Sequence, residues 1–223
     1  MADDAREGGG IFDLSVLAAL KQAGCVLCHV ARADARLFLR DLFHEYVNDV
    51  DLTRRLMDAW GFCPAHACEA MEVERALFGA PLGFAIVGER VIRRIMEDIR
   101  ALVANGGGAG VGRPTPCPAC RRGQASVDFA LRRLAGLMHR PEFRSWRDSS
   151  GGLCANHLRT CALLARTDGS ARRLLDEELD RLEELGQELG EYIRKTDHRY
   201  AKEAKGPEGD APARFAVFLG SHK

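Results

Sequence analysis

Six of the eight cysteines in this 223-residue chain fall into one phrase that occurs twice. Cys25-Val-Leu-Cys28 is followed by Gly61-Phe-Cys63-Pro-Ala-His66, and Cys117-Pro-Ala-Cys120 is followed by Gly152-Leu-Cys154-Ala-Asn-His157. The step from Cys28 to Cys63 is 35 positions, and that from Cys120 to Cys154 is 34. Between the motifs, Leu39-Arg40-Asp41-Leu42 has its counterpart in Leu131-Arg132-Arg133-Leu134. A single C-x-x-C arises easily by chance, whereas the same four-donor phrase twice at matched spacing points to internal duplication.

The chemistry of these donors is metal binding. Three thiolates and an imidazole satisfy a tetrahedral zinc ion with no position left open, and closed sites are structural rather than catalytic. The chain is expected to pair its ligands within each copy, as Cys25, Cys28, Cys63, His66 and as Cys117, Cys120, Cys154, His157, and to hold two zinc ions. An exchanged arrangement, with Cys25 and Cys28 meeting Cys154 and His157, is equally compatible with the residue types. Iron–sulfur ligation usually draws on four cysteines and fits less well. Cys25-Val-Leu-Cys28-His29 also matches the haem attachment pattern C-x-x-C-H, but Arg121 stands where the second copy would repeat His29. Cys68 and Cys161 lie outside the phrase; they are candidate redox thiols, with core packing as the plainer reading. Two further groups, Asp41/His44/Glu45 and Asp197/His198/Arg199, read as a solvated helix face and as an anchor for the chain end. H-E-x-x-H, a phosphate loop and G-x-S-x-G are all missing, and no catalytic residue is assigned.

The ligand pairs need helices to present them, and the pattern supplies helices throughout. Apolar residues at helical spacing predict segments over 25–46, 51–60, 63–77 and 82–103 in the first copy. Gly61 is expected to end the second of these. In the second copy the segments run over 117–139, with Pro141 interrupting, then from about Cys154, then from Ala171 to about Tyr200 behind an Asp168 or Ser170 cap. No long alternating pattern speaks for strands. The expected fold is all-α: two tandem helical repeats, 11–104 and 117–204, joined by a Gly/Pro linker at 105–116. A tail over 205–223 is expected to carry a short docking helix around Phe215–Leu219.

Charge and composition narrow the function. Lys and Arg total 32 and so do Asp and Glu, which removes bulk attraction to nucleic acid or anionic membrane. The distribution is uneven: residues 117–147 carry seven arginines against two acids, and 168–191 carry nine acids against three arginines. Mutual pairing of these stretches or plain solvation is the expected use; with aromatics at 7%, a base-stacking surface is poorly supported. No apolar run reaches the roughly 18–20 residues of a membrane span. The acidic opening Met1-Ala-Asp-Asp lacks a secretory pattern, so the expected compartment is the cytoplasm, where cysteines serve as metal ligands or redox thiols.

The double phrase C-x-x-C … G-[F/L]-C-x-x-H, with the tail Arg194-Lys195-Thr196-Asp197-His198-Arg199, resembles an uncharacterised bacterial family catalogued as a domain of unknown function. The resemblance spans roughly residues 14–220. It implies metal sites and a bacterial, cytoplasmic setting, and it implies no reaction. The expected function is a non-enzymatic zinc protein that presents a surface to a protein partner. The alternative is a thiol-based sensor that releases zinc on oxidation, and the third reading is an enzyme whose site lies apart from the zincs.

Overall fold

A computed structural model describes residues 11–104, 115–150, 152–200 and 202–220. Ten α-helices account for most of these, and no strand occurs among them. They are α1 (Ile11–Ala19), α2 (Val26–Asp41), α3 (Val50–Asp58), α4 (Pro64–Phe78), α5 (Leu82–Ala104), α6 (Pro118–Gly136), α7 (Pro141–Ser150), α8 (Ala155–Leu164), α9 (Gly169–Thr196) and α10 (Ala211–Phe218). A π-helical turn over Leu42–Tyr46 extends α2, and a 3-10 turn over Pro207–Asp210 precedes α10. The fold is all-α, as the periodicity implies.

Local chemistry sets the helix ends. Asp49 caps α3 by accepting from the Leu52 amide at 2.7 Å, and Asp168 caps α9 by accepting from Ser170 and Ala171. The segment after α3 turns through Trp60 and Gly61 at φ 53° and 95°, and Trp60 Nε1 is held by Asp98 at 2.9 Å. Gly79 closes α4 in the left-handed conformation. Pro141 behaves differently from expectation: rather than only interrupting, it opens α7, because proline's fixed φ and missing N–H suit the first turn of a helix. Most of the 105–116 linker lies outside the described residues.

The chain forms two compact units, residues 31–126 and residues 1–30 with 127–223. This division differs from the sequential one, 11–104 followed by 117–204. Its boundaries fall inside α2 and α6, so each unit takes its C-x-x-C helix start from one copy and its C-x-x-H helix start from the other. The core of 31–126 is Ala35, Leu39, Leu42, Phe43, Leu56, Ala70, Val73, Val87 and Ala119. In the other unit the rings of Phe143 and Trp146, 5.5 Å apart, are buried, as are Leu131, Leu134, Leu153 and Leu174. Trp146 Nε1 donates to the Gly24 carbonyl at 2.9 Å. The terminal helix α10 docks on α9 through Arg214–Glu188 and through Arg181, whose guanidinium lies 5.5 Å over the Phe218 ring.

Candidate metal centres

Every ligand position in the double phrase lies at the start of a helix. Cys63 and Cys154 are the N-caps of α4 and α8, both with extended backbone. Cys25 and Cys117 immediately precede α2 and α6. The partner ligands Cys28, Cys120, His66 and His157 follow three residues on, in the same first turn. A helix start directs unsatisfied amide N–H groups and the positive end of its dipole at these sulfurs, which favours thiolate.

The structure brings the eight donors into two clusters, and the pairing is the exchanged one. Cys25, Cys28, Cys154 and His157 form one group, and Cys63, His66, Cys117 and Cys120 the other; within each, the donor atoms lie within 4.8 Å of one another. The pairing within each copy is therefore corrected: α2 of the first copy shares a centre with α8 of the second, and α4 shares one with α6. In the first cluster His157 Nδ1 is 3.3 Å from each of Cys25, Cys28 and Cys154 Sγ, and Cys28 Sγ is 3.7 Å from Cys154 Sγ. In the second, His66 Nδ1 is 3.2 Å from Cys63, 3.3 Å from Cys120 and 3.8 Å from Cys117, with Cys63 and Cys120 Sγ 3.7 Å apart.

These distances test whether the donors fit an ion. With metal–sulfur bonds of about 2.3 Å and metal–nitrogen bonds of about 2.0–2.1 Å, a tetrahedral ion sets sulfur–sulfur edges of about 3.8 Å and sulfur–nitrogen edges of about 3.5 Å. Both clusters match, so two Cys3His sites stand ready to hold metal ions. Three thiolates and a neutral imidazole on a divalent ion leave one net negative charge. Two helix N-termini, each equivalent to roughly half a positive charge, offset it.

Titration within the clusters reflects the same crowding. Hydrogen bonds from Cys25 and Cys28 hold Cys154 as thiolate, far below the usual thiol range, while Cys28 is driven far above it by its bonds to Cys154 and Cys25. Burial opposes charging of His157, but bonds to the Cys154 and Cys25 sulfurs outweigh it and push the ring up to about 9. Cys120 is pushed up to about 12, first by desolvation and then by Cys63.

A supporting clamp lies behind the first cluster. Buried Glu178 accepts the Leu153 amide at 3.0 Å, and Arg181 donates to the Leu153 carbonyl at 3.2 Å while pairing with Glu178 at 2.8 Å. Both backbone groups of the residue before Cys154 are thereby fixed. The motif reading missed this pair. Its sequence mark is an acid on the stripe Leu174, Glu178, Arg181, Leu185, where 3.6-residue periodicity reserves a core position. At the second centre the equivalent place beneath Gly61 is apolar, taken by Val91.

The remaining candidates fall outside both clusters. Cys161 is fully buried and donates to the Ala171 carbonyl at 3.6 Å; burial pushes its thiol up to about 11. Cys68 is exposed on α4. His29 Nε2 bonds the Ala23 carbonyl at 2.7 Å, while Cys25 and Cys28 turn to Cys154 and His157. His44 contacts Glu45 and the Phe78 ring at the surface. His198 is 92% exposed. The chain end is anchored by Lys195–Glu208 at 2.9 Å and by Arg194–Glu203, rather than by Asp197, His198 and Arg199. The uneven charges meet in part: Arg132 pairs with Asp168, and Arg147 with Glu177.

No helix among the described residues is long and apolar enough to cross a membrane. No family model matches the chain, and no solved structure matches it. Over 180 residues it is 24% identical to the uncharacterised 23.9 kDa protein in the xynA 3′ region of Caldicellulosiruptor sp. (strain Rt8B.4), a similarity covering 80% of this chain and 85% of that protein.

Proposed function

We propose that the chain is a zinc-binding helical protein whose two metal ions are structural and whose helical surface serves a protein partner without catalysis. The observation that carries this reading is that protein donors fill all four corners of each tetrahedron. A catalytic zinc keeps a corner for water or substrate. The donor set favours zinc, with its taste for thiolate and imidazole in tetrahedral array. An iron–sulfur cluster spreads its cysteines over several irons and holds them farther apart than the edge of one tetrahedron. Metal affinity becomes folding energy here, since the ions join donors that lie 126 to 132 positions apart in one centre and 51 to 57 in the other.

Two surface features support the partner reading. A cleft of about 410 Å³ between α2 and α4 is lined by Leu37, Val73, Ala76 and Leu77 together with Arg36 and Arg40. On α5, Ile92, Met96, Ile99 and Val103 form an exposed stripe at helical spacing, from 45% to 76% accessible.

We also infer that the two copies arose by duplication of a self-associating unit. Ser126 Oγ donates to Asp34, 92 positions away, and a Cβ on Gly123 would come 3.0 Å from the carbonyl oxygen of Ala31. Cys25 and Cys117 are separated by the same step. A residue that meets its own counterpart is the signature of an isologous contact. Elemental analysis of protein purified without added metal tests the main reading: about two zinc ions per chain are expected from two complete ligand sets, and a metal-free, fully folded protein contradicts it.

A further inference from the structure

We propose that the centre formed by Cys63, His66, Cys117 and Cys120 is a modification site, at which Cys120 is the thiolate attacked by hydroperoxides and Cys63 the thiolate that resolves it. The inference rests on the reading that both clusters hold metal. Access separates the two centres. Cys120 is exposed, and Cys63 and His66 are half-buried. At the other centre Cys25, Cys154 and His157 are 2%, 4% and 7% exposed, and only Cys28 is half-buried. Reactive cysteines are exposed thiolates in electropositive surroundings, while buried structural ones are inert.

The chemistry balances within the site. The Cys120 thiolate attacks one oxygen of the hydroperoxide; the S–O bond forms as the O–O bond breaks, and hydroxide or alkoxide leaves. Sulfur is oxidised and the peroxide reduced. The Cys63 thiolate, 3.7 Å from Cys120 Sγ, then attacks that sulfur; the S–S bond forms, the S–O bond breaks, and hydroxide leaves. Water supplies the protons that neutralise both leaving groups. His66 and Cys117 remain as two donors, too few to retain the ion. Neither Cys68 nor Cys161 takes part.

The test uses the whole chain as purified. Hydrogen peroxide is added, released zinc is read with a chromogenic chelator, and cysteines are mapped by differential alkylation and peptide mass spectrometry. One ion should leave at least about tenfold faster than the other, with a Cys63–Cys120 disulfide in the fast phase and Cys25, Cys28 and Cys154 unmodified. Release of both ions in one phase, or first modification at Cys25, Cys28 or Cys154, overturns the inference and leaves both metal centres standing. A preparation that carries no metal overturns the reading of the centres and this inference together. A Cys68→Ser variant should keep the fast phase and the disulfide; loss of either there overturns the role of Cys63.

Discussion

Cys28 Sγ lies 3.7 Å from Cys154 Sγ, although 126 positions of chain separate them. Cys28 shares no centre with the C-x-x-H motif of its own copy, and Cys154 none with the C-x-x-C motif of its own. An ion at either centre would therefore close a long-range loop, and neither half of the chain holds a complete donor set of its own in this fold. Loop closure costs entropy that grows slowly with length, so bonds across such separations are thermodynamically reasonable once the donors are preorganised by helix starts.

Metal binding should be coupled to proton release. In the metal-free protein the His157 ring, pushed up to about 9, and the Cys120 thiol, pushed up to about 12, both carry protons at neutral pH. An ion must displace them, so affinity falls as pH falls. In metal-free protein two shifts oppose each other: the raised His157 gives stability that is full below 6.5 and lost as pH rises through about 9, while the depressed Cys154 gives stability that grows as pH rises towards 9.0, so the pH dependence there is shallow. Thermal midpoints between pH 6 and 9, with and without chelator, should diverge; parallel profiles contradict the assignment.

Trp146 ties the core to the first centre through its bond to Gly24, the residue before Cys25. Trp146→Phe leaves that carbonyl unpaired and should cost about 1–3 kcal/mol. Trp146→Ala adds a cavity, for about 3–5 kcal/mol in all. Urea denaturation reads the loss. Chelator competition should show weaker metal retention at the first centre and little change at the second.

Gly152 and Gly61 occupy matching positions two residues before a ligand, at φ 77° and 95°. A left-handed conformation costs an alanine roughly 1–2 kcal/mol. At Gly152 the added Cβ would also come 2.7 Å from both Glu178 carboxylate oxygens, whereas at Gly61 its nearest neighbour is Val91 at 3.4 Å. Gly152→Ala should therefore destabilise more than Gly61→Ala and disturb the Glu178–Arg181 clamp. Equal effects in calorimetry would show that the clamp adds nothing.

The eight clustered donors were legible because cysteine and histidine at three-residue spacing are scarce and chemically constrained. Helical class was legible from periodicity and caps, as at Asp168. The pairing was not: either way of combining the two C-x-x-C and two C-x-x-H motifs yields two Cys3His sets, so residue type carries no information about which helices meet. That choice is made by tertiary packing, through contacts such as Trp146–Gly24 and Ser126–Asp34. Glu178 escaped notice because an acid on a buried stripe reads as an error in the pattern until its partners, Arg181 and the Leu153 amide, are known. Pro141 both breaks one helical pattern and starts the next helix, and the pattern alone displays only the break.

Native mass spectrometry of two double variants tests the exchanged centres most directly. Cys25→Ser with Cys154→Ser removes two ligands from one cluster and should cost one zinc ion, leaving the second bound. Cys25→Ser with Cys63→Ser removes one ligand from each cluster and should weaken or empty both. The opposite pattern, one ion lost in the second variant and both in the first, would return the ligands to pairing within each copy and contradict the account.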